Sequence, residues 1–289
     1  MIYSAPANIR LSQGKLNILE TCARKFKLSY LDNLSSPISP KQKERMEWGR
    51  QFHLLMQQRE LGLPVEVVLA GNPEMQQCYE ALIDAVPDIL NSNNMEERSL
   101  FREAEHSRVL SLDRCEIVVI YDLLVEQEDR AQIFDWKTYP LAKDRSHLQN
   151  NWQTRLYPFV LAETSDYQPE QISMTYWFVQ SVAGSNRKSD RQMTPQKLFF
   201  QYDRRQHEQT RQDLDRRVAE LTEWLENYSS ESSFPKVAED SKVCQFCPFA
   251  RRCDREELGD RGLSASAMSG DLEDISATSI WEEEINDDF

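Results

Sequence analysis

The central part of the chain alternates between apolar and polar positions in a way that is typical of two strands joined by a turn. Residues 115–138 read CEIVVIYDLLVEQEDRAQIFDWKT, and the charged segment 126–130 separates two runs of β-branched and aromatic residues. With the loop centred in that segment, residues whose numbers sum to 257 face each other, so Asp122 lies opposite Asp135. Lys137 projects from the same face as Asp135, because strand side chains repeat every second residue.

Other periodic stretches flank this predicted hairpin. Apolar residues recur at helical spacing on both sides of it, and shorter stretches alternate as strands do. We predict helices over 11–31, 40–61, 73–89, 143–163 and 204–228, and further strands over 99–112, 172–178 and 198–202.

The hairpin suggests a chemistry as well as a shape. Two carboxylates facing each other repel unless a positive charge lies between them, and a divalent cation that prefers oxygen ligands would supply it. Asp122, Asp135 and Lys137 would then suit attack by water on a phosphodiester bond. The alternative is an ordinary surface hairpin, because a shift of one residue in the loop would separate the two aspartates.

Isolated polar residues elsewhere are weaker candidates for the same site. His53 lies among apolar neighbours on its predicted helix and is typical of a core histidine, although a glycine one turn earlier would allow close approach. Glu103 and Glu105 are candidate extra carboxylates, and neither has a spacing that singles it out. Gln153 and Tyr157 are four residues apart on a helix and form one polar patch, which ordinary surface polarity explains equally well.

Composition and charge limit the class of protein. The chain has 289 residues, 40% of them hydrophobic, and a formal net charge of −14. Much of that charge lies in 258–289, a Ser-, Gly- and acid-rich segment that we predict to be a disordered tail. The remainder is mildly acidic, which disfavours non-specific coating of DNA but permits a locally basic groove. With no apolar run of membrane-spanning length and no signal-peptide pattern, we expect a cytoplasmic protein without membrane contact.

The cysteines form a second motif. The chain has six, and Cys244, Cys247 and Cys253 are spaced as C-x2-C-x5-C, which is typical of a knuckle that binds a soft metal centre. Three thiolates leave a fourth ligand position open, which another cysteine of the chain could fill. Zinc with four sulfurs and an iron–sulfur cluster both fit, and the spacing does not choose between them.

These motifs, taken in order, resemble those of one family. His53, Asp122, the run Asp135-Trp136-Lys137-Thr138, Gln153 with Tyr157, and the closing C-x2-C-P-F-x3-C are similar to the motifs of RecB-type nucleases of the PD-(D/E)xK superfamily. The most similar pattern is that of the AddB-type nuclease domains and CRISPR-associated exonucleases that carry an iron–sulfur knuckle. The resemblance implies an α/β, restriction-endonuclease-like fold, with a mixed β-sheet flanked by helices and the N- and C-terminal segments joined by the cluster. It implies one nuclease domain over 1–257, with the knuckle at 244–253.

The resemblance also implies a role for each matching residue. His53, Asp122 and Asp135 would bind Mg²⁺ or Mn²⁺, Lys137 would orient and activate the attacking water, and Gln153 with Tyr157 would position the substrate and the lysine. A 4Fe-4S cluster would be bound by four cysteines: Cys22, Cys244, Cys247 and Cys253.

The function implied is that of a metal-dependent DNA nuclease, an exonuclease acting in repair, recombination or defence. Two alternatives remain: a non-catalytic DNA-binding subunit that recruits a helicase or repair partner, and a zinc-stabilised structural protein. The intact set of Asp122, Asp135 and Lys137 argues against the first. The tail ends in acidic residues and Phe289, and loosely resembles the tip that single-strand-binding proteins use to recruit repair enzymes.

Overall fold

A computed structural model describes residues 8–90, 100–141, 145–180, 182–183, 192–228 and 233–255, and the predicted tail at 258–289 lies outside them. The described helices are α1 (Gln13–Thr21), α2 (Ala23–Phe26), α3 (Pro40–Glu60), α4 (Glu66–Ala70), α5 (Pro73–Ala85), α6 (Pro87–Leu90), α7 (Arg145–Asn150), α8 (Trp152–Glu163) and α9 (Arg204–Glu226). The described strands are β1 (Ile9–Leu11), β2 (Phe101–Leu112), β3 (Cys115–Glu126), β4 (Ala131–Lys137), β5 (Ile172–Phe178), β6 (Val182–Ala183), β7 (Gln192–Met193) and β8 (Gln196–Gln201).

The chain divides into two compact units. Unit 1 comprises Met1–Gln42, Ser111–Glu116 and Leu214–Phe289, and unit 2 comprises Lys43–Leu110 and Ile117–Asp213. Among the described helices, none combines the length and the apolar content needed to cross a lipid bilayer.

Unit 2 is built on a mixed sheet in which the strands follow the order β2, β3, β4, β5 and β8. Strands β3 and β4 pair antiparallel, β4 and β5 pair parallel, and β5 and β8 pair antiparallel. All seven residues of β5 are buried, as expected for a strand whose two faces are both covered. The predicted mixed sheet with flanking helices is therefore confirmed.

The central hairpin has the predicted register. Four consecutive residue pairs, from Leu123 with Phe134 to Glu126 with Ala131, all have residue numbers that sum to 257. A hydrogen bond of 2.8 Å from the Gln127 amide to the Arg130 carbonyl closes the turn. The loop length and the two-residue period together fixed this register, because a one-residue slip would have turned the apolar side chains out of the core.

The helices of unit 2 pack on the sheet through side chains that the periodicity predicts. Phe52 and Met56 from α3, and Cys78 and Leu82 from α5, lie in one core cluster with Trp136 of β4. Two predicted helices are each interrupted. The helix predicted over 73–89 breaks at Val86, since the proline that follows disfavours helical backbone there. The helix predicted over 143–163 breaks at Asn151, which has extended backbone and caps α8.

Unit 1 corrects the single helix predicted over 11–31. Ser12 caps α1 and accepts a hydrogen bond of 3.3 Å from the Lys15 amide. The helix ends at Thr21, however, because Cys22 has extended backbone, with φ −165° and ψ 110°. Its thiol then accepts a hydrogen bond from the Lys25 amide at the start of α2. Cys22 therefore lies at a break between two helices.

Candidate active site

The two hairpin aspartates are buried side chains with different partners. Asp122 is 5% exposed and Asp135 is 2% exposed. One oxygen of Asp122, Oδ2, accepts a hydrogen bond of 2.6 Å from the Trp136 backbone amide, so the opposite strand of the hairpin fixes the orientation of this carboxylate. Its other oxygen lies 3.3 Å from Nδ1 of His53 on α3.

Asp135 is held by two side chains. Its Oδ1 lies 3.1 Å from Nζ of Lys137, one pleat further along β4, as the strand period predicts. Its Oδ2 accepts a hydrogen bond of 2.6 Å from Nε2 of Gln153. The backbone amide of Gln153 in turn donates to the capping side chain of Asn151, which ties Gln153 to the first turn of α8. The helix break at Asn151, which the sequence did not predict, thus helps to position Gln153, which it did predict as a site residue.

Glu105 is the site residue that the sequence did not distinguish from Glu103. In the part of the chain that the structure describes, His53, Glu105 and Asp122 form a group whose ligand atoms all lie within 4.8 Å of one another. Glu105 has a φ of 53° in the middle of β2, a left-handed conformation that is unusual for a residue with a side chain. Glu103 instead has a side chain that is 54% exposed and lies 2.6 Å from Nδ1 of His106.

The charges in this group act strongly on one another. Burial lowers the pKa of His53, but the charge of Asp122 and the hydrogen bond to it outweigh that effect and raise the pKa to about 9. Burial and the charge of Asp122 raise the pKa of Glu105 to about 7. The carboxylates therefore repel one another, and a positive charge between them would relieve that repulsion. Carboxylate and imidazole groups are suitable ligands for Mg²⁺ and, more so, Mn²⁺.

Tyr157 contributes a buried hydroxyl to the same region. Burial, followed by the charges of Asp135 and Asp122, raises the pKa of Tyr157 well above its ordinary value. The phenol is therefore neutral at physiological pH and keeps its proton for donation. Its backbone carbonyl accepts a hydrogen bond of 3.1 Å from the Tyr121 hydroxyl, and the two rings meet edge to face. Tyr157 is also close enough to Gln153, the other predicted residue of α8, for that side chain to oppose part of the increase in its pKa.

The predicted cysteine set lies in unit 1. Cys22, Cys244, Cys247 and Cys253 line one cavity, together with basic residues that include Lys25. Burial raises the pKa of Cys253, and the charge of Lys236 opposes part of that effect. The structure thus brings the four predicted cysteines to one cavity, with basic side chains beside them.

The two remaining cysteines are core residues. Cys78 and Cys115 are 0% and 2% exposed. Burial raises the pKa of Cys78 to about 12 and that of Cys115 to about 11, which favours the neutral thiol.

Comparisons with known proteins bear on both sites. A family model described as the PD-(D/E)XK nuclease superfamily matches residues 10–254, which include every residue of the candidate site and all four cysteines of the cavity. No curated protein sequence matches the chain. The solved structures that are similar to this chain include two of low sequence identity. A candidate exonuclease from Eubacterium rectale is 9% identical, with a TM-score of 0.48 over 84% of this chain and 87% of that chain. A protein named SSO0001 is 11% identical, with a TM-score of 0.35 over 87% of this chain and 88% of that chain.

Proposed function

Because the chain belongs to the PD-(D/E)XK nuclease superfamily, we propose that it is a Mg²⁺- or Mn²⁺-dependent exonuclease that hydrolyses phosphodiester bonds in DNA. The observation that carries this proposal is the arrangement of charges in unit 2. Two buried hairpin aspartates lie beside a buried lysine on one side and a histidine with a further glutamate on the other.

The acidic residues and the histidine would bind the divalent ion. His53, Glu105, Asp122 and Asp135 together offer one imidazole and three carboxylates. When bound, the ion would polarise the scissile phosphate and lower the pKa of a water molecule. The Trp136 amide fixes Asp122 and the Gln153 amide fixes Asp135, so two ligands are oriented before an ion arrives.

Lys137 would act on the attacking water and on the charge of the phosphate. Its side chain is 7% exposed and its ammonium is held beside Asp135. A buried, fixed ammonium stabilises developing negative charge without needing to reorganise during the reaction. Tyr157, as a neutral hydroxyl, would donate a hydrogen bond that positions the substrate.

The thiols of unit 1 would bind a 4Fe-4S cluster. Cys22, Cys244, Cys247 and Cys253 are the ligands that we assign to it, supported by their shared cavity and its basic lining. The cluster would supply a covalent link between segments more than 200 residues apart and thereby stabilise unit 1. Iron, sulfide and zinc analysis of anaerobically purified protein distinguishes this from a zinc site.

Cleavage of labelled DNA tests the proposed activity. Linear single- and double-stranded DNA, labelled at the 5′ or the 3′ end, is incubated with the protein and Mg²⁺, Mn²⁺ or chelator. Closed circular DNA is included, because an exonuclease requires an end. We expect metal-dependent release of short products from linear DNA and none from circles. The Asp122→Asn variant, purified identically, controls for contaminating nuclease. Equal activity in that variant or in chelator would contradict the proposal.

The acidic tail would recruit a helicase or another repair partner. The segment 258–289 contains nine acidic residues and one basic residue and ends at Phe289. A peptide of this composition can bind a basic, apolar groove on another protein. Full-length protein and protein truncated after Leu258 are compared for binding to purified candidate partners. Equal binding would contradict a docking role for the tail.

A further inference from the structure

Two tyrosines surround the ammonium group of Lys137. Its Nζ lies 5.5 Å from the centre of the Tyr176 ring and 5.9 Å from the centre of the Tyr139 ring. Both distances are within the range over which an aromatic ring attracts a cation. With the Asp135 oxygen at 3.1 Å, the ammonium therefore has a carboxylate and two rings around it.

Tyr176 is held in place by the sheet and by α8. It pairs with Asp135 in the parallel register of β4 and β5, so its side chain emerges beside that of the aspartate. The hydroxyls of Tyr176 and Thr154 are 2.8 Å apart. The single proton of the Thr154 hydroxyl is donated to the Leu148 carbonyl, at 2.6 Å. Tyr176 must therefore be the donor in the pair, which fixes the position of its hydroxyl.

Tyr139 is held differently. It lies two residues after Lys137, just beyond the end of β4, and its ring meets the ring of Phe178 edge to face at 5.7 Å. Tyr139 is only partly buried, whereas Tyr176 is 0% exposed. The two rings therefore differ in how far a substitution would disturb the core, and Tyr139 is the better position to test.

A lysine side chain has four rotatable carbon–carbon bonds and does not fix its own ammonium. We propose that Tyr139 and Tyr176 are positioning residues that hold the Lys137 ammonium through their ring faces. The inference rests on the proposed function, in which Lys137 acts on the attacking water. The rings act only through Lys137, so their loss should affect the chemical step and leave metal and DNA binding intact.

Paired substitutions separate the ring from the hydroxyl. Tyr139→Phe and Tyr176→Phe keep a ring face, whereas Tyr139→Leu and Tyr176→Leu remove it. We expect each leucine variant to lose about tenfold in kcat, with KM for DNA and affinity for Mn²⁺ within about twofold of wild type. Each phenylalanine variant should keep at least half of the wild-type kcat. Tyr79→Leu, at a partly buried tyrosine packed against the helical core, controls for general loss of packing.

A second measurement does not depend on nuclease activity. Mild reductive methylation of the full-length protein, followed by mass spectrometry of peptides, reports how accessible each lysine is. Methylation of Lys137 should rise several-fold in Tyr139→Leu and not in Tyr139→Phe. Lys197, whose ammonium lies 5.9 Å from the Trp177 ring centre, serves as the internal reference and should not change.

The outcomes separate this inference from the proposed function. Leucine variants with wild-type kcat and unchanged Lys137 methylation would overturn the positioning role. So would phenylalanine variants as impaired as the leucine variants, because the hydroxyls would then be responsible. If the wild-type protein cleaves no DNA, the proposed function fails, and the methylation of Lys137 alone decides whether the rings hold the lysine. If Tyr176→Leu does not fold, the Tyr139 pair decides the question.

Discussion

Replacement of Glu105 by glutamine should weaken divalent-ion binding without weakening the fold. Glu105→Gln keeps the size and shape of the side chain and removes one negative charge from the group formed with His53 and Asp122. Glu103→Gln is the matched control, because Glu103 lies two residues away on the same strand and its side chain is 54% exposed.

The size of the effect follows from the geometry. The three ligand atoms lie within 4.8 Å of one another, so an ion placed between them is about 3 Å from each charge. Coulomb's law for a divalent ion and one carboxylate at about 3 Å gives about 3 kcal/mol even with the dielectric constant of bulk water. That corresponds to an increase of about 10²-fold in Kd. Glu103→Gln should change Kd by less than about twofold, since its charge is distant and screened.

Without metal, the same substitution should leave the protein at least as stable as wild type above about pH 7. Burial and the charge of Asp122 raise the pKa of Glu105 to about 7. The folded state therefore disfavours the ionised carboxylate, and this cost grows as pH rises through that value. Glutamine carries no charge, so the variant does not have this cost. Loss of ion affinity without loss of thermal stability distinguishes a ligand from a residue that merely supports the fold.

Isothermal titration of metal-free protein with Mn²⁺ measures Kd, and thermal unfolding in chelator measures stability. The Mn²⁺ concentration that gives half-maximal DNA cleavage should rise in parallel with Kd. An unchanged Kd for Glu105→Gln would refute the assignment of this carboxylate to the ion. An equal change in Glu103→Gln would show that the effect is one of net charge, not of position.

Three further predictions concern the lysine, the cysteines and pH. Lys137→Ala should bind Mn²⁺ and DNA almost normally and lose about 10²-fold in cleavage rate, and wild-type activity in this variant would contradict the mechanism. Cys22→Ser should lose iron and sulfide and become less stable by about 5 kcal/mol, because the linked loop is so long; unchanged iron content would exclude Cys22 as a ligand. The pKa values of Glu105 and His53 are raised to about 7 and about 9, so both groups bind protons more tightly in the folded state than in the unfolded state. Their protonation therefore stabilises metal-free protein most at low pH, and that contribution is lost as pH rises. Ions must displace these protons, so Mn²⁺ should raise Tm more at about pH 8 than at about pH 6, and an equal increase at both would contradict this.

The sequence determined the features that depend on neighbouring residues. The two-residue period and the short polar loop fixed the register of the hairpin up to the pair Leu123 and Phe134, next to Asp122 and Asp135, and the same period placed Lys137 beside Asp135. Helix caps at Ser12 and Asn72 follow from side chains that bond to amides three residues ahead. Each of these features is encoded within a few residues, so a pattern in the sequence is sufficient to reveal it.

The tertiary structure alone decided which distant residues join the site. In a regular strand Glu103 and Glu105 would share one face, but the left-handed backbone at Glu105 interrupts that alternation, and only Glu105 joins His53 and Asp122. The contact of His53 with Asp122, and the rings around Lys137, join residues on different elements. Such contacts depend on how helices pack against the sheet, which no short period in the sequence specifies.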